Sequence, residues 1–160
     1  MRKLTIFFLF LIKMAAATGQ ATAIPVIGFE ALEPFLHKQN DTVYVVNFWA
    51  TWCQPCVKEL PYLEKLTKKY RTQPVKVLLV SLDFKSQLAS KLIPFVKSRK
   101  IRSEVVLLHD LDANDWIPKV SEVWDGAIPL TLIYRGDERH IQLEAFERFA
   151  DLEVLIKRFL

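Results

Sequence analysis

The sequence Val45-Val46-Asn47-Phe48-Trp49-Ala50-Thr51-Trp52-Cys53-Gln54-Pro55-Cys56 joins an apolar run to the only two cysteines of the chain, set three positions apart. Residues 43–49 are almost continuously hydrophobic, as expected of a strand covered on both faces. From Cys53 onward, Val57, Leu60, Leu63, Leu66 and Tyr70 recur at helical spacing, which predicts a helix to about residue 71. A strand that delivers Cys-x-x-Cys to the start of a helix is a device for making and breaking a disulfide. The helix N-terminus offers unpaired N–H groups and the positive end of the dipole, and both stabilise a thiolate at Cys53. The thiolate is the attacking species in disulfide exchange. Cys56, one turn on, is placed to attack the resulting mixed disulfide and release the partner.

Simpler uses of the pair fit less well. A structural zinc site needs four ligands, and no second cysteine pair exists to supply them. A structural disulfide across so short a loop adds little stability, because the effect grows with loop length. Cys-x-x-Cys beside strand–helix alternation points to redox chemistry instead.

Outward from this segment, Phe29, Leu32, Phe35 and Leu36 fall at helical spacing and predict a short amphipathic helix over 29–38, in spite of Pro34. Residues 75–82 read as a second buried strand. Residues 86–100 form a helix candidate with Ser86 as its cap and a bend at Pro94, and Pro61 is expected to kink the helix after the cysteines. Residues 104–109 give a third strand, and 113–123 a short helix interrupted by Pro118. Residues 130–134 and 139–143 pair as a hairpin around Arg135-Gly136-Asp137. The chain closes as a helix over 149–160, with Leu152, Leu155, Ile156 and Phe159 on one face. Strand–helix alternation, a hairpin and a last helix together predict a three-layer α/β fold.

Phe48-Trp49-Ala50-Thr51-Trp52-Cys53-Gln54-Pro55-Cys56-Val57-Lys58-Glu59-Leu60-Pro61 resembles the signature of the thioredoxin superfamily, within it the exported TlpA- and ResA-like thiol-disulfide oxidoreductases. The resemblance is dense from about residue 43 to 66 and recurs at Ala127-Ile128-Pro129-Leu130-Thr131. It implies a thioredoxin-like fold with a central mixed β-sheet flanked by helices, and an extra helix–strand insertion over 81–110. It also implies an enzyme of the protein-disulfide reductase type, with no cofactor beyond a redox-active Cys53–Cys56 disulfide. By the same resemblance, a membrane thiol carrier donates electrons, and the activity serves reductions such as those of cytochrome c maturation.

Cys53 is the expected nucleophile, as the more exposed of the pair, and Cys56 the resolving thiol. Gln54 and Pro55 lie between the sulfurs, where the residues tune the redox potential. Trp52 is expected at the rim of the site and Trp49 in the core. The resemblance implies a cis bond between Ile128 and Pro129 beside the disulfide, with the Ile128 backbone pairing to a substrate strand. Glu59 matches an acidic position of the ResA-like proteins, where a partly buried carboxylate with a raised pKa suits management of the resolving thiol's proton. Thioredoxins proper carry a buried Asp where this chain has Asn47, which moves any acid–base role to Glu59. The family often has a glycine after the final strand, whereas this chain has Glu144-Ala145-Phe146. Trp116 and Trp124, on the approach to Pro129, are expected to pack the added unit.

The alternative is a binding protein on the same scaffold, either a copper chaperone in which His109 joins the two thiolates, as suits soft Cu(I), or a module with an idle thiol pair. No other metal site is expected. A peroxidase would want Thr three positions before its nucleophile, and neither cysteine has one.

With 160 residues, 51% of them hydrophobic, the chain is long enough for one domain with a substantial core. The formal charge is +4, but Arg2, Lys3 and Lys13 lie near the N-terminus with no acidic residue among them, leaving the rest at +1. Charge therefore gives nucleic-acid binding no support. Residues 1–23 read as a secretory signal peptide: a basic start, an apolar run over 4–12, and Ala21-Thr22-Ala23 as the cleavage motif. Ala15-Ala16-Ala17 is a second candidate. Lys13 stops the apolar run short of the ~20 residues of a spanning helix, which disfavours a retained anchor. The expectation is a monomeric domain over 24–160, exported to the periplasm, acting on exported proteins with cysteines or disulfides.

Overall fold

A computed structural model describes residues 23–160. The expected leader and its cleavage fall on residues 1–23, nearly all outside the described residues. No helix among the described residues is long and apolar enough to cross a membrane.

Residues Val43–Trp49 form the central strand, β2, and all seven are buried. Side chains alternate across a strand, and here the two faces feed separate cores. Val43, Val45 and Trp49 pack with α2 (Gln54–Lys69) and α5 (Phe149–Phe159). Tyr44, Val46 and Phe48 pack with α1 (Phe29–Leu32) and α4 (Ala113–Val120). Helices on both faces of one sheet make the three layers predicted.

The sheet has six strands in the order β1-β4-β3-β2-β5-β6. β1 (Val26–Ile27), β4 (Glu104–Leu108), β3 (Val75–Ser81) and β2 run parallel. β5 (Leu130–Arg135) is antiparallel to β2, and β6 (Glu138–Gln142) antiparallel to β5. This is the thioredoxin-like α/β arrangement, and β4 with the helical segment before it is the expected insertion. The parallel strands β2, β3 and β4 all end on the side where α2 begins. A site at that edge is what open α/β sheets favour.

Several boundaries depart from expectation. The segment 86–100 is not one capped helix. A 3₁₀ turn at Lys85–Gln87 passes through a π-helical turn, Leu88–Leu92, into α3 (Ile93–Ser98), and Ser86 makes no cap. Pro94 has no N–H to bond the carbonyl four residues back, and the Ile93 N–H reaches Leu88 O in the wider register. The helix at 29–38 stops at Leu32 and tightens into a 3₁₀ turn, Glu33–Leu36, which leaves Phe35 exposed while Leu32 and Leu36 are buried. Pro118 does not interrupt α4, which runs through it to Val120.

Candidate functional site

The turn between β2 and α2 is short because β2 ends at Trp49 and Cys53 is already the N-cap of α2. The Cys53 N–H donates to Ala50 O at 3.1 Å. The Cys56 N–H donates to Cys53 Sγ at 3.3 Å, so the leading sulfur occupies the place of a capping oxygen. The two cysteines are joined as a disulfide, with Cα atoms 5.3 Å apart. Pro55 stands in the first turn of α2, where its missing N–H costs nothing.

Cys53 is 6% exposed and Cys56 fully buried. The leading cysteine is therefore the accessible one, but it is far less open than the sequence suggested. The reason lies across the site. The Ile128–Pro129 bond is cis, and Ile128 O lies 3.6 Å from Cys53 Sγ, covering it from the β5 side. Trp52, 56% exposed, and the exposed Gln54 and Pro55 form the outer rim. Trp49 is buried against Phe95, as expected of a core residue.

Glu59 lies one turn beyond Cys56 on the same helix and has no solvent exposure. Its Oε1 accepts from Asn47 Nδ2 at 2.9 Å, and its Oε2 from the Phe146 N–H at 2.8 Å. Asn47 Nδ2 also donates to Thr131 Oγ1 at 2.9 Å, because residue 47 of β2 sits opposite 131 of β5. Burial pushes the Glu59 pKa above the usual carboxylate range, against the lowering effect of the Phe146 and Asn47 bonds. A buried glutamate with a raised pKa thus lies one helical turn beyond Cys56 on α2. Phe146, in the segment where the resemblance leads one to expect glycine, contributes a main-chain donor that no side-chain pattern would reveal.

Trp116 and Trp124 are core residues, packed on each other, on Phe48 and, for Trp116, on Phe29. Trp124 Nε1 donates to Ala127 O at 2.6 Å, which ties the loop before Pro129 to the core. Gly126 in that loop has φ of +92°, and a Cβ there would meet Ile117 Cδ1 at 2.9 Å. Gly126→Ala is expected to destabilise the protein by about 1–3 kcal/mol, read from the urea midpoint. His109 does not join the cysteines: among the described residues no three His, Cys, Asp or Glu side chains converge to hold a metal ion. The sequence reading missed Asp83, a buried carboxylate just beyond β3 that binds Thr51. The signal available for it was its place at the carboxyl end of a parallel strand.

ResA thiol-disulfide oxidoreductases are similar over part of their length. The protein from Oceanobacillus iheyensis is 49% identical over 39 residues, covering 24% of this chain and 20% of that one. The Bacillus subtilis protein is 40% identical over 76 residues, covering 46% and 41%. The matched region spans less than half the length of these curated relatives. Among solved structures, a thiol:disulfide interchange protein from Chlorobium tepidum aligns with a TM-score of 0.61 at 20% identity, covering 74% of this chain and 79% of that one. StoA from Bacillus subtilis aligns at 0.56 and 21%, covering 74% and 84%. At these identities the structural likeness establishes the fold. The family model described as Redoxin matches residues 33–114, just over half of the chain, and the protein belongs to the Redoxin family.

Proposed function

We propose that this protein is a thiol-disulfide oxidoreductase that reduces disulfides of exported proteins through the Cys53–Cys56 pair. The observation that carries the reading is the disulfide at the N-terminus of α2, with its leading sulfur at the N-cap and its second cysteine buried one helical turn before a buried glutamate of raised pKa. In the reduced protein, the Cys53 thiolate attacks one sulfur of a partner disulfide. A Cys53–partner bond forms, and the other partner sulfur leaves as a thiolate and takes a proton. Cys56 then gives up its proton and attacks Cys53 Sγ. The Cys53–Cys56 disulfide forms, the second partner sulfur leaves and is protonated, and the partner has gained two electrons and two protons. Glu59, in its ionised form, is the group proposed to receive the Cys56 proton, its raised pKa making it a better base than an ordinary carboxylate.

The rim supplies the binding surface. Ile128, with main-chain groups beside Cys53, accepts an extended segment whatever its side chains, and Trp52 stacks against it. Trp52→Ala should raise KM for a peptide disulfide several-fold, with kcat and thermal midpoint unchanged, since an exposed aromatic contact contributes about 0.5–1.5 kcal/mol. The function itself is tested by reduction of insulin by the dithiol form at catalytic concentration. Reduction no faster than with free dithiothreitol would refute it. Export to the periplasm, a membrane thiol electron donor, a part in cytochrome c maturation and a monomeric state belong to the same proposal. They draw on the likeness to ResA proteins.

A further inference from the structure

We infer that Asp83 is a positioning residue for Cys53, fixing the turn before it so that the leading sulfur stays at the N-terminus of α2. The inference rests on the exchange chemistry proposed above. Asp83 is 3% exposed, and both its carboxylate oxygens are engaged. Oδ2 accepts from the Thr51 N–H at 3.0 Å, and Oδ1 from the Thr51 hydroxyl. Oδ2 also accepts from Ser81 Oγ at 2.8 Å, and the Asp83 N–H donates back to Ser81 Oγ at 3.1 Å. The Leu82 N–H continues the attachment to β2, donating to Trp49 O at 2.8 Å. The end of β3 is thereby stitched to a point two residues before the nucleophile.

Asp83 makes no ion pair among the described residues, so its charge is balanced only by hydrogen-bond donors. Bonds to an ionised acceptor are roughly twice as strong as neutral ones, and two of these three hold Thr51 alone. Releasing Thr51 frees the turn from Ala50 to Cys53. The sulfur then loses its fixed relation to the Cys56 N–H and to the helix dipole, which are what favour its thiolate. A less stable thiolate makes the dithiol state less favourable, and the disulfide persists.

The test reads the pair directly in full-length protein, by equilibrium with glutathione and by iodoacetamide alkylation of the reduced form at neutral pH. Asp83→Ala should shift the equilibrium about tenfold toward the disulfide, which corresponds to about 30 mV, and slow alkylation of Cys53 by a similar factor. Thr51→Val removes one bond and leaves the charge, and should move both readings the same way by about threefold. Thr51→Ser keeps both donors and should restore them. Should Asp83→Ala fail to fold, the two Thr51 variants decide. Unchanged readings in Thr51→Val and Asp83→Ala, with only a lowered thermal midpoint, would overturn the inference in favour of plain scaffolding. A shift in the opposite direction would overturn it in favour of direct repulsion between the carboxylate and the thiolate. Wild-type protein that fails to reduce insulin refutes the proposed function, yet leaves these readings interpretable because they need no substrate.

Discussion

In a Cys53→Ser variant, catalysed disulfide reduction is expected to disappear, whereas a Cys56→Ser variant retains the first step and accumulates a mixed disulfide with its substrate. The asymmetry follows from placement rather than from the two residues' chemistry. Cys53 is the N-cap of α2, within reach of a donated N–H, and its 6% exposure is the only solvent contact the pair has. Cys56 is fully buried and acts only after a partner sulfur has been bonded to Cys53, whose Sγ it then attacks. A serine at 56 therefore blocks release and not capture. Mass spectrometry of each variant after incubation with a peptide disulfide checks both outcomes. An adduct formed as readily by Cys53→Ser as by Cys56→Ser would contradict the assignment.

Glu59→Gln carries the second large effect, in two measurements. If Glu59 receives the proton of Cys56, its loss slows the resolving step by about a hundredfold, the lower end of what a positioned acid or base contributes. The mixed disulfide then accumulates transiently even with both cysteines present, visible by acid-quenched mass analysis. The second measurement is stability against pH. Burial raises the Glu59 pKa in the folded protein, so the folded state holds this proton at pH values where the unfolded chain has lost it. Unfolding releases a proton in that interval, and the Glu59 contribution to stability declines as pH rises from about 4.3 through the folded-state value, then levels off. The stability of wild type relative to Glu59→Gln should fall across that window, as followed by urea midpoints. A difference that grows with pH would mean that the bonds from Asn47 and Phe146 outweigh desolvation.

The central strand, the helix after it and the two sulfurs were legible because their signals are local. A seven-residue apolar run gives β2, and Cys53, Cys56 and Glu59 share one helix at spacings of three, so a single pattern places all of them. What the sequence could not show is whatever the sheet register brings in from far along the chain. Thr131 reaches Asn47 across 84 residues, Phe146 reaches Glu59 across 87, and Asp83 reaches Thr51 across 32. These contacts depend on which strands are neighbours, and one of them uses only a backbone N–H. The two-residue strand β1 is too short to leave a periodic trace. The overstated exposure of Cys53 has the same origin, since the carbonyl that covers it belongs to Ile128, 75 residues away.

The reactivity of the two thiols in the reduced wild-type protein bears most directly on the account. Limiting iodoacetamide at neutral pH, followed by peptide mapping, should label Cys53 well ahead of Cys56 and faster than an unstructured cysteine peptide labels. Preferential labelling of Cys56, or a Cys53 no more reactive than the free peptide, would mean that the helix terminus does not activate the leading sulfur.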